Sequence, residues 1–437
     1  MNKFLVSILL LFFISGSFIT VFSSVSASSV LVADSWNTKA SMSQTRSGFG
    51  VVVVDGKIYA IGGYGNGVAE VVGVNECYDP VSDVWVTLAS MPTPRADFAI
   101  VAFSGKIYCI GGEVPYFGPV FVSQTVDIVE VYDPVNDTWS NKTSFPIKVS
   151  RPITCVINNQ LFVITFDGKT YMYDQSSDNW SNKASISVYS GDITVRVIND
   201  QIFAIFYSET EWTLCMYNQT TDSWIKKAEP SILHGVFEFI VMDNKIMICD
   251  HPMHVNDFSL SFRIYDPVMD SWSEGQTVNK LASYAVLFVG ITSGVYAPKN
   301  VYVFGWEQIN AGDTVQTFTW VYDHVCDVWL TAKSAPIANI FNGIKCIVTI
   351  DDVMYVIGES GTVKQYVPVG YDPLGYLAPP VVSNGITSPV LTESEAHGTF
   401  LTVFVVVTAA VLTICAIVMM LLFYLKERKK NKRSRYE

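Results

Sequence analysis

Few side chains in these 437 residues are spaced for chemistry. Of only five histidines, two form His251-Pro-Met-His254, with Asp250 and Asp257 alongside. Imidazole and carboxylate donors can hold Zn²⁺, but Pro252 disfavours the helix that would put both imidazoles on one face, and zinc sites use more defined spacing. We expect no metal there and no cofactor elsewhere. Nucleophile and phosphate signatures are missing too: the chain has no Gly-x-Ser-x-Gly elbow and no glycine-rich loop ending in Lys-Ser/Thr. Binding groups are better represented. Arg46, Arg95 and His234 each precede a β-rich segment by eleven residues, at Lys57, Lys106 and Lys245. With Arg151 the arginines form a candidate anion-accepting set around one opening. The competing reading is that they pair with carboxylates inside the fold. The loop aromatics Tyr116, Phe117, Phe121 and Trp306 are candidates for stacking on sugar rings or anchoring a partner peptide.

The elements that position these residues follow from a repeat. Tyr-(Asp/Asn)-x-x-x-Asp-x-Trp occurs six times, at Tyr78–Trp85, Tyr132–Trp139, Tyr173–Trp180, Tyr217–Trp224, Tyr265–Trp272 and Tyr322–Trp329. Recurrence at such intervals means stacked supersecondary units. Asp34-Ser35-Trp36 near one end and Tyr371-Asp372-Pro373 near the other read as two halves of a seventh copy, as a ring requires when both chain ends complete one unit. A second repeated segment reads Lys57-Ile-Tyr-Ala-Ile-Gly62-Gly63 and Lys106-Ile-Tyr-Cys-Ile-Gly111-Gly112, with weaker copies later. Another apolar run precedes each, usually across Asp-Gly, Ser-Gly or Asn-Asp pairs that make hairpin turns. Each unit is therefore a four-stranded antiparallel sheet. Its tryptophans (Trp36, Trp85, Trp139, Trp180, Trp224, Trp272 and Trp329) read as wedges between neighbouring sheets, and the Asp two residues earlier as a turn acceptor.

These units resemble kelch repeats, in which a hydrophobic strand, a Gly-Gly pair and spaced Tyr and Trp recur. The pair at Gly62-Gly63 and Gly111-Gly112 matches fully and is lost or halved in later units. The resemblance implies an all-β fold, a kelch-type β-propeller over residues 34–376 with seven four-stranded blades, an N-terminal strand closing the last. It also implies binding at the end that carries the loops after the second and fourth strands. Sugar-acting enzymes, of epimerase or hydrolase class, are built on similar propellers, so that alternative stands beside a protein- or glycan-binding module and beside a purely structural surface protein. We expect no enzymatic activity, since no catalytic set is recognisable.

The flanks suggest location. Residues 1–27 carry Lys3, an apolar run and a small-residue exit, the order of a secretory signal. A Pro/Ser/Thr-rich stalk is expected at 377–398. Residues 399–425 read as one transmembrane helix, since 400–425 hold no charge, and a basic cytoplasmic tail follows at 426–437. The propeller is then outside the cytoplasm of a single-pass membrane protein. The net charge is −12 despite that basic tail, which argues against nucleic acid as partner. Seven cysteines precede the apolar segment, six at strand positions where sister repeats carry small or aliphatic residues. We expect buried thiols and no disulfide.

Overall fold

The computed structural model describes residues 33–375 except 66–69, 118–120, 189–192, 208–210, 230–235, 251–257, 282–284, 308–315 and 336–343. The segments expected as signal, stalk, transmembrane helix and tail lie outside the described residues. No helix among the described residues is long and apolar enough to cross a membrane.

Seven four-stranded sheets follow one another. Blade one comprises Gly50–Val54, Lys57–Ile61, Asn75–Asp79 and Val84–Leu88. Blade two comprises Ala99–Phe103, Lys106–Ile110, Val129–Asp133 and Thr138–Asn141, and blade three Ile153–Ile157, Gln160–Ile164, Thr170–Asp174 and Asn179–Lys183. Blades four to six begin at Ile193, Val236 and Ala285, and blade five gains a short fifth strand, Val278–Leu281. Blade seven takes three strands from the C-terminal side (Ile344–Ile350, Val353–Gly358, Val363–Val367) and its outermost, Ser35–Lys39, from the N-terminal side.

There is no single core. Seven apolar clusters occupy the seven interfaces between consecutive blades, including the one that joins blade seven to blade one. Strand alternation explains this: Ile58 and Ala60 point into the interface with blade seven, while Tyr59 and Ile61 point into that with blade two. A strand buried on both faces must be apolar at every position, hence the near-continuous hydrophobic second strands.

The Tyr–Asp–Trp unit does more than make a turn. In blade one the Tyr78 hydroxyl donates to Asp83 Oδ1 (2.8 Å), which also accepts the Ala40 N–H (2.9 Å), while Trp85 Nε1 donates to the Ala40 carbonyl (2.9 Å). Ala40 lies four residues beyond Trp36, and the same offset holds at every interface. Ala89, Thr143, Ala184, Ala228, Gln276 and Lys333 are gripped in turn by the Asp and Trp of the next blade. Each gripping Asp has a left-handed backbone, with φ between 45° and 55°, a conformation Asp tolerates better than most residues.

Closure of the ring corrects one expectation. Trp36 pairs with Tyr366, not Tyr371, and the Tyr366 hydroxyl donates to Asp34 (2.9 Å) as its counterparts do to theirs. Lys333 is held by Asp34 and Trp36 (2.7 Å each). The Tyr-Asp-Pro at 371–373 is a separate turn beyond the last blade, in which Asp372 accepts the Leu374 N–H. In Gln365-Tyr366-Val367-Pro368 the Tyr lacks the Asp or Asn that follows it in the other copies, so the sequence pattern points to Tyr371 instead. Among the described residues the seven cysteines are free thiols: Cys77, Cys109, Cys155, Cys215 and Cys249 are buried, whereas Cys346, expected to be buried with them, is half-buried. Burial pushes the Cys109 thiol up to about 12.

Two predictions follow from the clips. Tyr366→Phe should destabilise by about 1–2 kcal/mol through loss of a hydrogen bond to a carboxylate, whereas Tyr371→Phe should be near neutral. Urea titration of both variants checks this, and the reverse order would restore the original assignment. The second concerns acid. The backbone N–H of Ala184 and of Ala228 are the main groups holding Asp222 and Asp270 below the usual carboxylate range, and the Tyr173 and Tyr322 hydroxyls do the same for Asp178 and Asp327. Burial opposes ionisation of Asp83, but Ala40, Tyr78 and Lys39 outweigh it. Depressed folded-state values mean that this stability is complete above the unfolded-state value near ~4 and is lost as pH falls through the lower folded values. Melting temperature should therefore hold from pH 7 to about 4 and drop steeply below.

Candidate functional site

Strand order places the loops after second and fourth strands at one end of the ring. A cavity of about 620 Å³ opens there, at the mouth of the central channel. Its walls are the segments leading into the inner strands of blade one (Ser47, Gly48), two (Asp97, Phe98), three (Arg151, Pro152) and seven (Lys345), with Tyr64 and Glu359 from loops after second strands.

The backbone here runs from blade to blade. Asp97 N–H donates to the Gly48 carbonyl (2.8 Å), and Arg151 N–H donates to that of Asp97 (2.7 Å). Gly48, Asp97 and Arg151 are thus equivalent, and all three are left-handed, at φ 60°, 53° and 52°. Glycine adopts this freely, while an arginine does so at a cost of about 1–2 kcal/mol. Arg151 is therefore held in place by its surroundings. Its guanidinium is 66% exposed and donates to the Asp97 carboxylate (2.8 Å). That hydrogen bond and the Asp97 charge push Arg151 above its ordinary value.

Next to this pair stands an inserted hairpin, Glu113–Phe117 with Phe121–Thr125, tied at its base by mutual hydrogen bonds between Ala96 and Glu113. The Tyr64 hydroxyl donates to Glu113 Oε2 (2.9 Å). Burial works against ionisation of Glu113, but hydrogen bonds from Ser123, Ser150 and Tyr64 and the nearby Arg151 charge outweigh it and hold the carboxyl below its usual range. Across the opening, the Lys345 ammonium lies 5.8 Å from the Phe49 ring centroid. The mouth thus presents cations, carboxylates and a phenol within one opening.

The expected trio of arginines does not line it. Arg46 and Arg95 are buried and committed to the blades. The Arg46 guanidinium donates to the carbonyls of Ala60 (3.2 Å), Gly62 (3.1 Å) and Val74 (2.9 Å) and meets Glu76 at 2.5 Å. Arg95 does the same with Cys109, Gly111, Thr93 and Glu130. Desolvation lowers the Arg46 pKa even against the Glu76 charge. Blade three's counterpart of these arginines is Val149, buried in the interface between blades two and three, and Arg151 stands two positions later. Arg46 and Arg95 take the alternative of pairing with carboxylates inside the fold, and the spacing Met42–Arg46, Met91–Arg95 and Phe145–Val149 distinguishes their position from that of Arg151.

The glycine pairs belong to the same device. A Cβ on Gly62 would lie 2.6 Å from the Arg95 carbonyl oxygen, and one on Gly111 2.5 Å from that of Val149. Gly63 and Gly112 would meet the carbonyls of Ser47 and Ala96 at 2.7 Å. Close approach of neighbouring backbone therefore demands glycine in blades one and two.

Tyr116, Phe117 and Phe121 lie in the inserted hairpin, where Tyr116 pairs with Val122 and Phe117 with Phe121. Trp306 is the next-to-last residue of the second strand of blade six, opposite Val286 and Thr317. Their side chains, and all of His234, His251, His254 and Asp257, lie outside the described residues. Among the described residues no three His, Cys, Asp or Glu side chains converge as metal ligands. A second cavity of about 620 Å³, at the opposite end, is lined by Asp243, Thr292, Tyr296 and Asp351 among others. Asp352 there accepts backbone N–H from Ser293, Val295, Tyr296 and Ala297, so its charge is already spent on the fold.

These assignments predict different costs for the arginines. Arg46→Ala or Arg95→Ala leaves a buried carboxylate unpaired and should destabilise by about 3–5 kcal/mol. Arg151→Ala should change stability by less than about 1 kcal/mol, being a surface pair. Chemical denaturation of the three variants gives the comparison.

Comparison with known proteins agrees with this construction. The Kelch motif family model matches residues 45–92 and 94–146, which span the lead-in segments and blades that carry the Arg–Glu and Gly-Gly devices. No curated protein matches the chain. A solved structure titled "Structure of YjhT" is similar over 68% of this chain and 99% of its own, at 14% identity and a TM-score of 0.43. Residues 45–146 thus carry two kelch motifs within a β-propeller of seven four-stranded blades, which supports a place in the kelch-repeat propeller family.

Proposed function

We propose that this propeller is an extracytoplasmic binding module, tethered to a membrane by its C-terminal apolar segment, that takes a protein or glycan ligand across the channel mouth. The observation that carries the reading is the mouth itself. A cavity of about 620 Å³ with Arg151, Lys345, Tyr64 and Glu359 at its edge combines depth with convergent polar groups, as ligand sites do. The inserted hairpin beside it adds a raised wall with Tyr116, Phe117 and Phe121 in its strands. Kelch propellers are commonly protein-binding modules, which supports the class of function, while a glycan ligand rests on the rim aromatics alone. The tether rests on the signal-like 1–27 and the charge-free 400–425. No observation at the mouth favours the sugar-acting enzyme.

The full chain in detergent, applied to a carbohydrate array and to extracellular protein extracts, should retain a selective ligand. Arg151→Ala with Lys345→Ala should weaken that ligand at least ~10-fold, as expected for lost polar anchors in a partly desolvated site. Alanine at Tyr116, Phe117 and Trp306 together should do likewise if the rim aromatics take part. Retention of full affinity in both variants would remove the mouth from consideration. A C-terminal tag should be protected from protease on intact cells, with the propeller accessible. The opposite pattern would refute the topology.

A further inference from the structure

The end of the ring opposite the mouth carries a pattern that neither folding nor the mouth explains. Seven Asx turns lie there, each with a side-chain oxygen accepting the N–H two residues on, at 2.9–3.0 Å: Val81, Val135, Ser176, Thr220, Val268, Val325 and Leu374. In blades three and four the residue at that position is Ser176 or Thr220. In blades five, six, one and two, and in the extra turn beyond blade seven, it is aliphatic. These tips form one continuous arc. Val81, Val135, Val268, Val325 and Leu374 are 80–97% exposed, with Met269 beside Val268. Isolated exposed aliphatics are ordinary, but the same turn position filled this way over five consecutive places calls for a covering surface.

The charges beside three of the apolar tips are compensated. In blades one, two and five a lysine neutralises the carboxylate that makes the turn: Lys57 with Asp79 (3.5 Å), Lys106 with Asp133 (3.1 Å) and Lys245 with Asp266 (3.2 Å). Blades three and four have Gln160 and Gln201 at the lysine position. Three of the five apolar tips are thus flanked by neutral pairs, the arrangement that loses least on approaching a low-dielectric surface, while blade six has Asn300 at the lysine position. The described chain also ends on this arc, at Leu374 and Gly375, 25 residues before the charge-free run at 400–425. The turn at 371–374, redundant for ring closure, adds one further tip.

We propose that the turn end of the propeller rests on a lipid bilayer, with Val81, Val135, Val268, Met269, Val325 and Leu374 at the headgroup boundary, leaving the mouth facing away. This inference rests on the membrane-tether reading. Each tip contributes little, but a tether holds the domain at high effective concentration near the surface, so weak contacts suffice. The acidic net charge favours zwitterionic over anionic lipid.

Cys326, exposed and adjacent to Val325, is a native attachment point. The full chain carrying Cys415→Ser is reconstituted in phosphatidylcholine vesicles, labelled at Cys326, and probed with headgroup-nitroxide lipid. A probe at Ser176→Cys in a Cys326→Ser background reports the polar arc. We expect flotation with the vesicles and quenching at Cys326 at least threefold above that at the Ser176 position. Serine at all six tips, or at Leu374 alone if the sixfold variant folds poorly, should lower it. Equal quenching at both positions in a floating sample overturns the docking and leaves the tether intact. Failure to float removes the tether and this inference with it. Energy transfer between labelled copies without lipid quenching would assign the arc to a second copy and overturn the lipid assignment.

Discussion

Everything in this molecule depends on one residue per blade being held by the next blade. The residue four beyond each Trp gives its N–H to an Asp and its carbonyl to a Trp Nε1, so both backbone groups at the blade edge are satisfied across the interface. Apolar packing between blades is non-directional and would tolerate sliding, whereas a two-point grip on a single residue fixes register. Because the seventh grip uses Asp34 and Trp36 on Lys333, the ring has no open end at which an unpaired blade face would meet water.

Regularity at the outer wall leaves the inner segments free to differ. In blades one and two, an Arg–Glu pair and two glycines bind the lead-in segment to the middle strands. The polar interior of the first two blades is a local solution, with each guanidinium sharing its donors among several carbonyls and one carboxylate, as burial of a charge requires. Its neighbours at the mouth inherit a rigid base: Asp97 follows Arg95 by two residues, and the inserted hairpin is tied to Ala96 between them.

The two ends of the ring consequently differ in kind. One has an opening edged by Arg151, Lys345, Tyr64 and Glu359, with an exposed arginine kept in a left-handed backbone that glycine occupies two blades earlier. The other has seven Asx turns of shared geometry, in which the residue two beyond the capping side chain is aliphatic in five and hydroxylic in two. Variation on a constant backbone is where a propeller can acquire recognition without disturbing its assembly.

The sequence by itself determined the blade count, the four-strand unit, the buried thiols and the closure by an N-terminal strand, because these follow from local spacing that repeats. A period-two apolar pattern and a fixed Tyr–Asp–Trp interval leave little choice. Only the tertiary structure decided which tyrosine completes blade seven, since Tyr366 lacks the neighbouring Asp and is identified by its bond to Asp34, over 300 residues away. The mouth was illegible for the same reason. Arg46 and Arg151 look alike in sequence, and Tyr64, Lys345 and Glu359 belong to no motif. Whether a side chain is buried against Glu76 or faces an opening depends on two residues of register, and that register is set by hydrogen bonds between blades, not by anything within one.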